Sequence, residues 1–157
     1  MIIRVIIFLI INFTSLGIGG LFTSKGVPSG WYVNLNKAPW TPPGWVFGAA
    51  WSVIMISFAI YMAYLWPLVE NKKTIIALFS IQLILNILWN PIFFYFHNVA
   101  LGLFVITALT IIVGFLINYY YPVLKLKSTL LIPYFLWLII ATSLNAYILI
   151  QNWKGLN

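Results

Sequence analysis

The side chains that carry out most enzymatic chemistry are nearly missing from this sequence. Its 157 residues include one carboxylate side chain, Glu70, one histidine, His97, and no cysteine. Carboxylate pairs, thiolate nucleophiles, disulfides and thiolate metal sites are therefore excluded. Glu70 stands next to Lys72 and Lys73 and is expected to be a surface ion partner. His97 is expected to be a solvated turn residue, with ligation of a metal at the centre of a bound ligand as the alternative.

Aromatic rings are the abundant recognition groups, at 18% of the chain with eight tryptophans. Three tryptophans fall at the ends of apolar stretches, where an indole prefers the lipid headgroup region: Trp45, Trp66 and Trp153. Three more lie deeper inside: Trp51, Trp89 and Trp137. Core packing and ligand contact both suit the deeper rings on position alone.

Spacings of three and four residues gather candidate side chains on three helix faces. The second apolar stretch presents Phe47, Trp51 and Met55. The third presents Gln82, Asn86, Trp89 and Phe93. The fifth presents Trp137, Ala141, Leu144 and Asn145. A cavity walled by indoles and alkyl groups suits a flat, largely apolar molecule with polar edges.

Asn86 and Asn145 lie inside apolar stretches. An amide without a partner in hydrocarbon is costly, so each is expected to face the bundle interior. Hydrogen bonding between helices and the lining of a polar pocket corner both remain open for them. A carboxylate on the ligand could reach Lys37 or Lys25 at the rim.

The elements that must position these residues are membrane helices, because 64% of the chain is hydrophobic and its mean hydropathy is +1.07. Five continuous apolar stretches of 21 to 24 residues have the length of a membrane crossing: 2–22, 45–66, 75–96, 99–121 and 130–153. None shows the period of two typical of a membrane barrel. The sequence thus predicts an all-α membrane protein, a bundle of five transmembrane helices forming one domain over residues 1–157. A cleaved secretory signal is the alternative for the first stretch.

The connection between the first two helices, residues 23–44, differs in composition from the others. It combines prolines and glycines with Trp31, Tyr32 and Trp40. Loops of this length are often lids or binding loops. We expect an ordered cap over the helix ends.

Charge gives a weak orientation signal. With five helices, one side carries Arg4, Lys72, Lys73, Lys125 and Lys127, and the other carries Lys25, Lys37 and Lys154. This bias favours a multi-pass protein of the cell membrane with a cytoplasmic N-terminus. The net charge of +7 also suits anionic lipids. Nucleic acid is not an expected partner, because no contiguous basic stripe exists.

Three segments resemble the translocator protein family, also called tryptophan-rich sensory proteins or peripheral-type benzodiazepine receptors. They are WYVNLNKAPWTPPGWVFGAAW (Trp31–Trp51), QLILNILWNPIFF (Gln82–Phe94) and WLIIATSLN (Trp137–Asn145). Three motifs in the right order on the right helices make the resemblance specific. It spans nearly the whole chain and fits a bacterial member.

The resemblance implies a five-helix bundle that forms a homodimer and acts as a receptor or transporter-like binder. Its ligands would be porphyrins such as protoporphyrin IX and haem-like tetrapyrroles, and isoquinoline carboxamide or benzodiazepine drugs, held under the first loop. The family's pocket maps onto Tyr32, Trp51, Asn86, Trp89, Phe93, Trp137, Ala141 and Leu144. No cofactor and no metal are required for such binding.

The enzymatic alternative is breakdown of porphyrin in light and oxygen, which the resemblance assigns to Trp51 and Trp137. An indole is oxidisable, and no positioned acid or base is present for ordinary turnover. Ion-coupled transport is disfavoured, because no Asp or Glu lies inside a predicted helix.

Two departures from the family pattern stand out. The usual Lys-Pro before the loop tryptophan is Lys37-Ala38-Pro39 here, which changes the expected loop path. The sterol pattern fails, since six residues separate Tyr147 from Lys154.

Overall fold

Every regular element of the computed structural model, which describes residues 1–153, is helical. In chain order the helices are α1 (Ile2–Gly26), α2 (Gly30–Val33), α3 (Gly44–Leu68), α4 (Lys72–Phe94), α5 (Val99–Leu124) and α6 (Ile132–Asn152). A 3-10 segment, Lys125–Leu131, joins α5 to α6. The predicted class and the five long helices are confirmed. Lys154, which entered the charge count and the sterol pattern, lies outside the described residues.

Helix boundaries differ from the predicted ones where local signals outweigh hydropathy. Helix α1 continues past Phe22 to Gly26 and stops before Pro28, because proline has no backbone N–H to continue the helical hydrogen bonds. The cap segment is therefore 27–43 rather than 23–44, and it contains the one-turn helix α2. Helix α4 begins at Lys72 rather than Ile75, because the preceding Asn71 accepts hydrogen bonds from two backbone N–H groups of its first turn.

The remaining ends shift by a few residues. Helix α3 begins one residue early, at Gly44, and runs on to Leu68. Helix α4 ends at Phe94 rather than Phe96, just before His97 adopts a left-handed φ of 54°. Helix α5 ends at Leu124 rather than Tyr121, and α6 spans Ile132–Asn152 rather than 130–153.

Four stretches of the described chain are long and apolar enough to cross a membrane, and the last of them, Val99–Asn152, contains α5, the 3-10 segment and α6. Helices α5 and α6 pack antiparallel. Asn145 near the end of α6 donates to the carbonyl of Val99 at the start of α5, whereas Thr110 and Thr142 meet further along at 3.2 Å. The last stretch thus contributes two helices to a helical membrane bundle.

The long helices form a closed ring. Helix α1 packs between α3 and α4, α4 packs against α5, α5 against α6, and α6 returns to α3. We call the end of the bundle that carries the 27–43 segment the loop-side half. The opposite half is the end where residues 69–71 connect α3 to α4.

Helix α3 shows how unequal these halves are. Its first ten residues, 44–53, include no buried residue, whereas eight of the next twelve are buried. In the opposite half the ring of Phe58 is 1% exposed and contacts the rings of Tyr61, Phe79 and Tyr134. The opposite half is a closed apolar core, and the candidate residues lie between it and the 27–43 segment.

Candidate ligand-binding site

The aromatic residues of the predicted site fall into two ring clusters in the structure. The α3–α6 ring cluster consists of Phe47, Trp51, Tyr134 and Trp137. The loop-end ring cluster consists of Trp31, Tyr32, Trp89, Phe93 and Phe94. Trp89 also packs against the main core of the bundle.

In the α3–α6 ring cluster the rings meet edge to face across the seam between the two helices. Phe47 lies 5.3 Å from Trp137 at an interplanar angle of 82°, and Trp51 lies 6.0 Å from Tyr134 at 71°. Trp137 is 7% exposed, and its indole N–H has no hydrogen-bond partner among residues 1–153. A buried donor of this kind costs free energy until an acceptor is supplied.

Tyr134 is a functional-site candidate that the sequence analysis missed. Its hydroxyl accepts a hydrogen bond from the Asn86 amide at 2.8 Å and donates to Oε1 of Gln82 at 3.0 Å. It thereby satisfies two amides on α4 from α6. The available signal was that Tyr134 precedes Trp137 by three residues, which puts both near one helix face.

The loop-end ring cluster surrounds the end of α4. Phe93 stacks on Trp89 at 5.2 Å and meets Trp31 edge-on at 5.5 Å. Tyr32 lies 5.5 Å from Phe94. Burial raises the pKa of the Tyr32 hydroxyl, so this phenol is neutral at physiological pH. Helix α2 therefore covers the end of α4 with aromatic surface.

Asn145 joins three helices. It accepts from the Trp89 indole N–H at 3.1 Å and donates to the carbonyl of Val99 at 3.0 Å. Of the two roles left open for this residue, the structure supports hydrogen bonding between helices. Asn86, through Tyr134, does the same between α4 and α6.

The 27–43 segment is tied to the bundle at several points. Asn36 exchanges two backbone hydrogen bonds with the side chain of Asn152, at 2.9 and 3.2 Å. The Trp40 indole donates to Ser143 at 3.1 Å. The Lys37 ammonium donates to the carbonyls that end α2, including that of Tyr32 at 2.8 Å. Lys37 thus caps α2. Its contact with a ligand carboxylate stays a prediction.

The remaining predicted residues occupy less distinctive positions. Leu144 is buried on α6, and Ala141 packs against the main core. His97 is exposed in the turn after α4 and stacks on Trp31 at 4.1 Å. Among residues 1–153 no group of three metal-ligating side chains occurs.

Comparison with known proteins tests the family suggested by the three sequence motifs. A family model described as TspO/MBR family matches residues 5–151. The chain belongs to the TspO/MBR family. Both the recognition from motifs and the assignment to a membrane protein are therefore confirmed.

Named relatives extend the match across domains of life. The chain is 38% identical over 139 residues to "Tryptophan-rich protein TspO" of Archaeoglobus fulgidus, covering 85% of this chain and 87% of the relative. It is 32% identical over 127 residues to "Tryptophan-rich sensory protein" of Cereibacter sphaeroides, with 81% and 80% coverage. It is 30% identical over 131 residues to "Translocator protein" of Homo sapiens, with 80% and 78% coverage.

Proposed function

We propose that this protein binds porphyrins, such as protoporphyrin IX and haem-like tetrapyrroles, in the loop-side half of the bundle. The α3–α6 ring cluster would form one wall and the loop-end ring cluster the other. Isoquinoline carboxamides and benzodiazepines, which are also flat, apolar and edged with acceptors, would compete for the same space. The protein would act as a membrane receptor or carrier, with its N-terminus in the cytoplasm.

The observation that carries this proposal is the buried indole N–H of Trp137, which has no acceptor within residues 1–153. A carboxylate or carbonyl at the edge of a guest would supply that acceptor. The unburied first ten residues of α3 support the same reading, since Phe47 and Trp51 are partly exposed there. Large rings that are not packed away in a membrane protein suit a π-system that stacks on them.

The test is a titration of protoporphyrin IX into the purified protein, followed by tryptophan quenching. We expect the double variant W51F/W137F to bind about 10-fold more weakly, which corresponds to about 1.4 kcal/mol. W45F/W153F is the matched control, because both of its rings are exposed at helix ends. Equal affinity of W51F/W137F and wild type would reject the proposed contacts.

The second candidate function is degradation of porphyrin in light and oxygen, with Trp51 and Trp137 as the oxidised groups. The contact of Trp51 with Tyr134, two oxidisable rings 6.0 Å apart, favours it. This function predicts a defined product that W51F or W137F abolishes while affinity survives. The same rate of product formation from free porphyrin in detergent would make the protein a bystander.

A further inference from the structure

The buried face of α1 is unusually polar for the middle of a membrane helix. Its buried residues are Phe8, Asn12, Ser15, Gly19 and Gly26. Asn12 is 0% exposed and Ser15 is 3% exposed. Both lie at least ten residues from either end of α1, about 15 Å along the helix axis, which places them deep in the membrane and away from bulk water.

Two polar atoms on this face have no hydrogen-bond partner within residues 1–153. Asn12 donates from its amide nitrogen to the carbonyl of Met55 on α3 at 3.1 Å, but its amide oxygen is unpartnered. The hydroxyl of Ser15 is likewise enclosed and unpartnered. Each such atom in an apolar surrounding costs free energy until a partner is supplied.

Burial sets Ser15 apart from the other hydroxyls of the long helices. Among residues 1–153 it is the only buried serine or threonine on these helices. Five partly buried or exposed hydroxyls bond back to the carbonyl four residues earlier: Thr23, Ser52, Ser57, Thr107 and Thr110. Ser15 makes no such bond to Ile11, so its enclosed hydroxyl lacks the partner that commonly satisfies a helix serine.

The height of the pair in the bundle follows from the register of α1 against α4. Phe8 contacts Phe79, and Gly19 faces Asn90; the residue numbers differ by 71 in both pairs. Ser15 therefore lies level with Asn86. Asn12 bonds to Met55, one helical turn beyond Trp51. The pair sits at the boundary between the loop-side and opposite halves.

We infer that Asn12 and Ser15 form a binding site for an internal water molecule at the centre of the membrane, between α1 and α3. Side chains three residues apart on a helix have Cβ atoms about 5–6 Å apart, a span that one bridging water covers with two hydrogen bonds. The water donates to the amide oxygen of Asn12 and pairs with the hydroxyl of Ser15. Two partners meet the minimum for a buried water. The site does not depend on a porphyrin being bound.

Solid-state NMR of the full chain in lipid vesicles, with magnetisation transferred from water to 15N-labelled asparagine, tests this directly. We expect a water contact at the Asn12 side chain in the wild type and in S57A, whose hydroxyl bonds within its own helix. S15A should reduce that contact at least about fivefold, and S15T should retain it. No water contact in the wild type, or one that S15A leaves unchanged, would overturn the site.

Thermal unfolding in detergent gives an independent sign. A bridging water predicts that S15A lowers the apparent Tm by about 2–4 °C, because the water loses a partner and the amide oxygen of Asn12 is left unpaired. If the Ser15 hydroxyl has no partner at all, S15A should leave Tm unchanged or raise it, because alanine removes the free-energy cost of the unpaired hydroxyl. S57A sets the baseline for removing a hydroxyl from a long helix.

Discussion

The loop-side and opposite halves of the bundle use the same residue types in different ways. In the opposite half Phe58, Tyr61 and Leu65 are at most 1% exposed and pack into one apolar cluster. In the loop-side half Phe47 and Trp51 on the same helix are only partly buried. The difference shows that the opposite half is the more closely packed one, whereas the loop-side half leaves ring surface that a guest would contact under the proposed function.

The boundary between the halves is polar. Gln82, Asn86 and Tyr134 are hydrogen-bonded at this level, and Asn12 crosses to α3. Towards the opposite half the core is closely packed, so under the proposed function a bound guest would meet polar side chains first and a packed apolar layer beyond them. Such layering would suit a ligand with apolar faces and polar edges.

The largest expected difference between the two halves is in the free energy of unfolding of their variants. F58A should lower the free energy of unfolding by about 3–5 kcal/mol, because it leaves a cavity among three aromatic rings. W51F, in the loop-side half, should cost less than about 1.5 kcal/mol. Thermal or denaturant unfolding in detergent measures both. Equal losses in the two variants would remove the distinction between the halves.

A smaller effect is expected where the loop-side half is closely packed. A Cβ at Gly19 would lie 2.5 Å from the side-chain nitrogen of Asn90. This nitrogen donates to the carbonyl of Asn86, and the amide oxygen of Asn90 accepts from Thr23, so the side chain is held in place. G19A should therefore destabilise the protein by about 1–3 kcal/mol. G20A is the control, because its Cβ would meet nothing within 4 Å. Indistinguishable unfolding curves for the two variants would contradict this contact between α1 and α4.

The smallest effect concerns the tie between the 27–43 segment and α6. N152A removes two hydrogen bonds to the backbone of Asn36. Amide hydrogen exchange near Asn36 should accelerate about fivefold, which corresponds to about 1 kcal/mol of local stability. N118A is the control, because that side chain bonds only within α5. Unchanged exchange in N152A would show that the ring contacts alone hold the segment.

Much of the fold was predictable because continuous apolar stretches leave few alternatives to membrane helices. The boundaries that were missed had local signals: Pro28 beyond the end of α1 and Asn71 as the cap of α4. Residues 23–26 and 72–74 are polar or small, so hydropathy alone assigns them to loops. In the structure they continue α1 and α4.

The sequence predicted which candidate residues share a helix face, but not which residues contact each other between helices. The spacing of Trp89 and Phe93 correctly places them together, because one helix determines their geometry. The pairing of Asn86 with Tyr134, and of Trp89 with Asn145, depends on how far one helix is shifted along another. A single sequence holds no record of that shift. The capping role of Lys37 depends in the same way on α2, a helix too short for hydropathy to reveal.

The central claim is that a flat guest lies in the loop-side half, against the rings of α3 and α6. A crystal structure of the protein with protoporphyrin IX tests it most directly. We predict density for the ring system beside Trp51 and Trp137, with an acceptor atom within about 3.2 Å of the Trp137 indole nitrogen. Porphyrin density confined to the lipid-facing surface, with the Trp137 N–H still unpaired, would contradict it.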